Sequence, residues 1–199
     1  MGFLDTLKGT LQRELNKTLK DASATLQKKA RDASQKRWTV TFETLPKNLE
    51  ELRALPEADL KEPYKAAALC IAAYCVWPDD REESKKMLQF LSGPRELTPM
   101  FFNQVQDRFM DGKNYIPFSF FEGATPENDY TPSKPYTITV YDNPNYKAEG
   151  YYGVLLRSGG ADSMRQLTLR HKPSTGQWFL WEDFTLGGIR IPKSADKWA

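Results

Sequence analysis

The chain has 199 residues, of which 40% are hydrophobic and 13% aromatic, enough for one folded domain with a real core and an additional segment. Its net charge of +2 excludes the strongly basic character of a general nucleic-acid-binding protein. Cys70 and Cys75 lie five residues apart and cannot form a disulfide framework or a Cys-x-x-Cys pair, so we expect buried free thiols and a reducing, cytoplasmic setting.

Residues 1–36 differ in charge from the rest of the chain. They carry eight basic and four acidic side chains, a net charge of +4, which leaves −2 for residues 37–199. Their apolar residues recur about every 3.6 positions, the period of an α-helix. Leu4, Leu15 and Leu26 occupy equivalent positions of an eleven-residue repeat, which keeps an apolar stripe on one side of a nearly straight helix. The sequence therefore predicts a long amphipathic helix over residues 1–36.

Three roles for this helix stay open at the level of sequence. Its stripe could dock on its own domain or on a second copy of the chain. It could instead lie in a membrane interface with its basic residues near anionic headgroups. It could also be a tail that orders only on binding. The residues expected to contact a membrane or partner are Phe3, Leu4, Leu7, Leu11, Leu15, Leu19 and Leu26.

The first half of residues 37–199 predicts one strand followed by helices. Trp38, Val40 and Phe42 alternate with polar residues, as in a half-buried strand. A short helical turn is expected over residues 49–55. The most apolar run of the chain, residues 64–77, predicts a buried central helix that is too short for a membrane span of about 20 residues. Two further helices are expected, one between residues 79 and 93 and one starting at Thr98-Pro99.

The second half predicts strands at residues 115–121, 136–141, 151–157, 165–171 and 177–182, the first of them an edge strand because of Pro117. Gly159-Gly160 and Thr175-Gly176 suit tight hairpin turns. The sequence therefore predicts an α+β fold in which helices pack on one face of an antiparallel β-sheet that ends in a three-stranded meander, preceded by the long N-terminal helix. Phe179 and Trp181 would share a face that a tail, a second copy or a ligand must cover.

Several long stretches resemble an uncharacterised bacterial domain of unknown function that is common in gut Firmicutes. They are residues 123–132 (GATPENDYTP), 158–163 (SGGADS), 169–170 (LR), 174–182 (STGQWFLWE), and the ending from Ile189 to Trp198-Ala199. The resemblance covers roughly residues 45–199 and implies a fold but no activity. Met164 and His171 stand where the pattern of that family often differs, which argues against a role for His171.

No motif of catalytic chemistry stands out in the sequence. A lone histidine, His171, without a cluster of cysteines or acids does not make a metal site, and no P-loop, dinucleotide fingerprint or nucleophile elbow is present. The best candidate for a ligand site is polar: Asp162, Arg165, Arg170 and Arg190, near Glu182. Charges around hairpins are more often simply solvated or paired at the surface.

These observations predict a non-enzymatic cytoplasmic binding protein without cofactor or metal. Its two domains would be residues 1–36 and residues 37–199. Its partner would be another protein, a second copy or, peripherally, a membrane surface, and not a nucleic acid. Two alternatives stay open: an enzyme of unrecognised class with a site around Asp162, Arg165 and Arg170, and a self-associating structural protein.

Overall fold

The structure, a computed structural model, describes residues 35–146 and 148–198, together with Glu14, Lys17, Lys20 and Ser23. The chain divides into two compact units, Met1–Lys36 and Arg37–Ala199. In the first unit the four described residues between positions 14 and 23 are helical and exposed. The seven apolar residues predicted to contact a membrane or partner, from Phe3 to Leu26, lie outside the described residues, so the long N-terminal helix stays a prediction.

The second unit is an α+β domain, as predicted. In chain order its elements are β1 (Arg37–Phe42), α1 (Leu49–Ala54), α2 (Pro63–Val76), α3 (Arg81–Ser92), α4 (Pro99–Phe109), β2 (Tyr136–Asp142), β3 (Tyr151–Leu156), β4 (Arg165–Lys172) and β5 (Gln177–Asp183). The five strands form one sheet in the order β1-β2-β3-β4-β5, and every neighbouring pair is antiparallel. The last three strands are a meander, and the four helices lie between β1 and β2 in the chain.

The predicted edge strand over residues 115–121 is wrong. The chain there forms two 3₁₀ turns, Lys113–Tyr115 and Pro117–Phe120, whose N–H groups bond back over three residues. Pro117 has no N–H to give to a sheet and occupies the first position of its turn, where none is needed. Ile116, Phe120 and Phe121 are buried in the core, so the apolar and aromatic residues of this stretch reflect packing under a turn.

Helix α2 is the centre of the domain. Twelve of its 14 residues are buried, and it packs against all five strands and against α3. Alanines let these neighbours approach the helix backbone, while Leu69 and Ile71, both fully buried, each contribute roughly 1.5–3 kcal/mol by leaving water. Cys70 and Cys75 are buried free cysteines in this helix, as predicted. Among the described residues, no helix is both long enough and apolar enough to cross a bilayer.

Side chains begin α3 and α4 and hold the loop between these two helices. The Asp80 side chain accepts the Glu83 N–H at 3.0 Å and begins α3, and the Thr98 hydroxyl accepts the Phe101 N–H at 3.3 Å and begins α4. Gln89 on α3 holds the loop itself: its amide nitrogen donates to the Arg95 carbonyl at 2.9 Å, and its amide oxygen accepts the Leu97 N–H at 2.9 Å. Residues 93–97 are thereby placed beside β5.

This loop and a turn before α2 cover β5, the last strand of the sheet. The Leu60 carbonyl accepts the Trp178 N–H at 2.8 Å, and the Arg95 guanidinium donates to the Trp181 carbonyl at 2.8 Å. A β-bulge at this point makes Trp181 the extra residue, because Leu169 pairs with Leu180 and Thr168 with Glu182. Residues 93–95 of the same chain lie against Phe179 and Trp181, a contact that the sequence did not predict, and both side chains stay half-buried, so the three expected covers stay predictions.

Candidate binding surface

An open groove of about 840 Å³ lies between α1, α3, α4 and the end of the sheet. Its apolar floor includes Phe90, Leu97, Phe102 and Phe179. Each of these residues comes from a different element or from the loop after α3, so the groove exists only in the folded domain. We call this surface the basic groove. Its lining residues are Leu49, Arg53, Leu60, Lys85, Lys86, Gln89, Phe90, Gly93, Pro94, Glu96, Leu97, Phe102, Lys172, Gln177 and Phe179.

Positive charge dominates the rim of the basic groove. Four lining residues are cationic, Arg53, Lys85, Lys86 and Lys172, against one carboxylate, Glu96. Lys85 and Lys86 form ion pairs of 2.7 Å with glutamates three residues earlier on α3. Such surface pairs contribute at most ~1 kcal/mol, so both lysines can exchange them for the charges of a bound partner.

A second, smaller cavity of about 330 Å³ adjoins the basic groove and shares Pro94, Lys172 and Phe179 with it. We call it the arginine cavity. Its lining residues are Ser92, Pro94, Arg95, Arg170, His171, Lys172, Pro173, Phe179, Leu180 and Trp181. Its polar side chains therefore carry hydroxyl, imidazole, ammonium and guanidinium groups, and no carboxylate of the described residues lines it.

Trp181 brings the two guanidinium groups of this cavity together. The Cζ atoms of Arg95 and Arg170 each lie 4.6 Å from the centroid of the indole ring, within the range of cation–π attraction. Tyr151 adds a second aromatic contact to Arg170 at 5.6 Å. Burial lowers the pKa of the Arg95 guanidinium, Glu182 opposes this effect, and the charge of Arg170 lowers the pKa further. The two cations are thus close enough to repel each other.

Two buried polar atoms around the arginine cavity have no hydrogen-bond partner among the described residues. One is the hydroxyl oxygen of Ser92, whose residue is 2% exposed. The other is Nε of Arg95, whose two terminal nitrogens donate to the carbonyls of Trp181 and Leu180. Buried polar groups in folded proteins are nearly always paired, and each of these two atoms can still donate one hydrogen bond.

The structure brings only some of the residues of the predicted polar site together. Asp162 and Arg190 form an exposed ion pair of 2.6 Å, and this pairing raises the pKa of the Arg190 guanidinium. Arg165 lies near them, but its guanidinium is used inside the fold: it donates to the carbonyls of Gly187 and Gly188 at 2.7 and 2.6 Å. This end of β4 is therefore braced and charged at its surface.

Arg170 stands apart from the other members of the predicted site. It follows Arg165 by five residues on the extended strand β4, a rise of about 17 Å. Its guanidinium packs on Trp181 and Tyr151 in the arginine cavity. Ser92 and Arg95 join it there from the distant α3–α4 region of the chain. The sequence predicted the aromatic strand but did not indicate Ser92 or Arg95 as site residues, because no local pattern places the α3–α4 loop on β5.

The buried thiols and carboxyl described here include no activated nucleophile. Burial raises the pKa of the Cys70 and Cys75 thiols well above the ordinary value, so both stay protonated at neutral pH. Burial also raises the pKa of the Asp183 carboxyl, although its Oδ1 accepts the Thr185 N–H at 2.7 Å. Asp183 lies at the edge of a further cleft of about 320 Å³, which Arg95 and Trp181 also line.

The His171 ring packs against another aromatic side chain and is not part of a metal site among the described residues. Its ring packs against Trp178 with centroids 4.6 Å apart. Within the part of the chain that the structure describes, no group of three or more His, Cys, Asp or Glu residues is arranged to hold a metal ion.

Comparison with known proteins adds a family but no activity. A family model described as Domain of unknown function (DUF6935) matches residues 44–193, three quarters of the chain. No curated protein matches the sequence, and no solved structure matches the fold.

Proposed function

The chain belongs to the family Domain of unknown function (DUF6935), and on that premise we propose that it is a non-enzymatic binding protein whose basic groove docks an acidic amphipathic segment of a partner protein. The observation that carries this proposal is the combination of an apolar floor and a cationic rim in one open groove. An amphipathic helix buries its apolar face in such a groove, and its acidic residues meet the rim.

The positive charge of the rim determines which kind of segment the basic groove can bind. Residues 1–36 of the same chain are themselves predicted to be amphipathic, but they carry a net charge of +4. A basic segment would meet Arg53, Lys85, Lys86 and Lys172 with like charge, which disfavours binding. A partner with the opposite charge gains attraction at the rim and the burial of its apolar face at the same time.

The test uses the full chain and two synthetic amphipathic peptides with the same leucine face, one otherwise rich in glutamate and the other in lysine. We expect fluorescence anisotropy to show binding of the acidic peptide only, weakening as salt is added. The double variant Lys85→Glu with Lys86→Glu should weaken this binding roughly tenfold, corresponding to ~1.4 kcal/mol.

The matched control is Lys193→Glu with Lys197→Glu, the same change of charge at two exposed lysines that do not line the groove. It should leave the affinity for the acidic peptide unchanged. Equal binding of both peptides, no binding of either, or equal losses in the groove and control variants would overturn the proposed docking.

A second role is proposed for residues 1–36, on the strength of their eleven-residue apolar pattern. We infer that they contact an anionic membrane surface through Leu4, Leu7 and Leu11.

Sedimentation of the full chain with phosphatidylglycerol vesicles tests this membrane contact. Leu7→Glu with Leu11→Glu should abolish co-sedimentation, whereas Thr6→Glu with Gln27→Glu, of equal charge but off the stripe, should retain it. Equal behaviour of the two variants would reject the lipid role, and light scattering would then test self-association.

We also place the protein in the reducing cytoplasm of a bacterium. The two cysteines of the chain are free and buried, and thiols are retained in reducing compartments. The bacterial source rests on the resemblance of residues 45–199 alone. Cell fractionation that recovered the protein outside the cytoplasm would contradict the compartment.

A further inference from the structure

We propose that the arginine cavity is a binding site for a small oxyanion ligand, a carboxylate or a phosphate, which Arg170, Arg95 and Ser92 hold together. This site shares Pro94, Lys172 and Phe179 with the basic groove but differs from it in its arginines and in its ligand, and it does not depend on the proposed docking function. Charge, the position of the guanidinium groups, unpaired donors and the size of the cavity all support it.

The arginine cavity concentrates positive charge. Arg95 and Arg170 approach one indole ring at 4.6 Å each, and His171 and Lys172 line the same cavity. Within the described part of the chain, no carboxylate forms a salt bridge with either arginine; Glu182 acts on Arg95 only from a longer distance. Like charges held this close repel each other, and an anion between or beside them would offset that repulsion.

Stacking fixes the position of Arg170. The residue is exposed, and its guanidinium makes no hydrogen bond to the described residues, but Trp181 and Tyr151 hold the guanidinium in place. Its five N–H donors are therefore available in a fixed position. A planar fork of donors matches two oxygens of a carboxylate or phosphate, which is why arginine is so often used to bind these groups.

Two buried donors of the cavity lack acceptors. The Ser92 hydroxyl and the Arg95 Nε–H belong to lining residues and have no partner among the described residues. Both groups can donate a hydrogen bond. Both atoms are enclosed in the cavity wall, so the wall must shift for an oxyanion to accept from them, and this would remove the cost of leaving them unpaired.

Size and polarity define the ligand class. A volume of about 330 Å³ is at the lower end of small-molecule sites, and the walls of Phe179, Leu180 and Trp181 are apolar. The site therefore fits a small anion with a short apolar body better than a polymer. A dicarboxylate and inorganic phosphate carry the same oxyanion chemistry, and the experiment separates them.

The test titrates the full chain with sodium phosphate, sodium succinate and, at matched ionic strength, sodium chloride. Binding is followed by calorimetry and by the proton resonance of Arg95 Nε–H, which should move downfield when it gains an acceptor. We expect phosphate or succinate to bind and chloride to have no effect. Arg170→Gln should weaken binding by about tenfold or more, as expected for the loss of a charge-assisted pair of hydrogen bonds.

Two further variants make the result specific. Ser92→Ala keeps every charge and should weaken binding by roughly threefold to tenfold, the effect of one lost hydrogen bond. Arg81→Gln removes an exposed arginine outside the cavity and should change nothing. The proposal is overturned if neither anion binds more tightly than chloride, or if Arg81→Gln and Arg170→Gln weaken binding equally. Peptide binding in the basic groove is a separate assay, so either result stands alone.

Discussion

Gly93 is the residue on which the surface around β5 depends most directly. Its backbone has φ +60° and ψ −128°, a conformation that residues with a Cβ rarely adopt, and it ends α3. A Cβ at this position would lie 2.5 Å from Cδ1 of Phe179. Close approach of the loop to the strand therefore requires glycine for two separate reasons, backbone conformation and space.

We predict that Gly93→Ala lowers the free energy of unfolding by about 3 kcal/mol, the sum of backbone strain and displacement of Phe179. Gly112→Ala is the matched control: Gly112 also has positive φ, +73°, but nothing lies within 4 Å of the position that its Cβ would take. It should cost only about 1 kcal/mol. Urea unfolding measures both, and equal costs would show that the contact with Phe179 is unimportant.

Asp183 makes stability depend on pH in an unusual direction. Burial raises the pKa of its carboxyl in the folded chain above the ordinary value of 3.8. The folded state therefore keeps a proton that the unfolded state has lost, and the contribution of Asp183 to the free energy of unfolding falls as pH rises above about 4, until the pH passes the raised pKa of the folded chain.

We predict that Asp183→Asn removes this dependence. The amide oxygen can still accept the Thr185 N–H, but the side chain no longer titrates. Unfolding by urea at several pH values should give a difference between variant and wild type that favours the variant increasingly above about pH 4, until the pH passes the raised pKa of the Asp183 carboxyl. Other groups titrate equally in both proteins, so a constant difference would rule out Asp183 as the cause.

Among the elements, α2 shows how a helix can be buried on all sides. Ala66, Ala67, Ala68 and Ala73 are all at most 1% exposed, because neighbours pack directly on the helix backbone. Their small size sets the distance from α2 to the sheet and to α3.

We predict that Ala68→Leu destabilises the protein by about 1–3 kcal/mol through overpacking. Ala54→Leu, on the exposed end of α1, should stay within about 0.5 kcal/mol, and thermal unfolding compares them.

The start of a helix was predictable wherever a single residue determines it. Asp80, Thr98 and Pro63 are short-range signals, and α2, α3 and α4 begin where they indicate. The strand predicted at residues 115–121 failed because a run rich in aromatic residues also arises where 3₁₀ turns pack several consecutive side chains into the core. Local periodicity does not distinguish a strand from such turns when a proline interrupts it.

Gly159 and Gly160 lie in the connection where the sequence predicted a turn, but glycine is needed there for a reason other than the predicted positive φ. Neither has positive φ, unlike Gly176 in the next turn. They are needed because the Ala124 carbonyl and the Tyr130 hydroxyl lie where their side chains would be. The stretches that carry the family resemblance around residues 124–130, 158–163 and 189–190 meet here. Such a contact between distant segments has no signature in local sequence.

The same limit applies to the candidate sites. Sequence reasoning placed an aromatic strand at residues 177–182, which is correct, but it did not predict that Gly93 and Arg95, far earlier in the chain, lie against this strand. Of the four predicted polar residues, only Arg170 lines the arginine cavity. The other three lie at the opposite end of β4. They were grouped with Arg170 because of their charge, and charge alone does not show at which end of a strand a residue lies.

For the chain taken together, the N-terminal segment differs from the body across a boundary near residue 36. The family model begins at residue 44, and the division into units falls between Lys36 and Arg37. Charge changes sign across the same boundary, from +4 to −2. The division into units and the change of charge lead us to expect that residues 1–36 add little to the stability of the body.

We therefore predict that residues 37–199, expressed alone, unfold in one cooperative transition. The midpoint should lie within roughly 3 °C of that of the full chain, the shift that about 1 kcal/mol produces in a domain of this size. Differential scanning calorimetry measures both proteins at equal concentration. A larger fall would show that residues 1–36 dock on the body or on a second copy, and the membrane role proposed for their apolar stripe would lose its support, since the same leucines cannot be buried in the domain and in lipid at once.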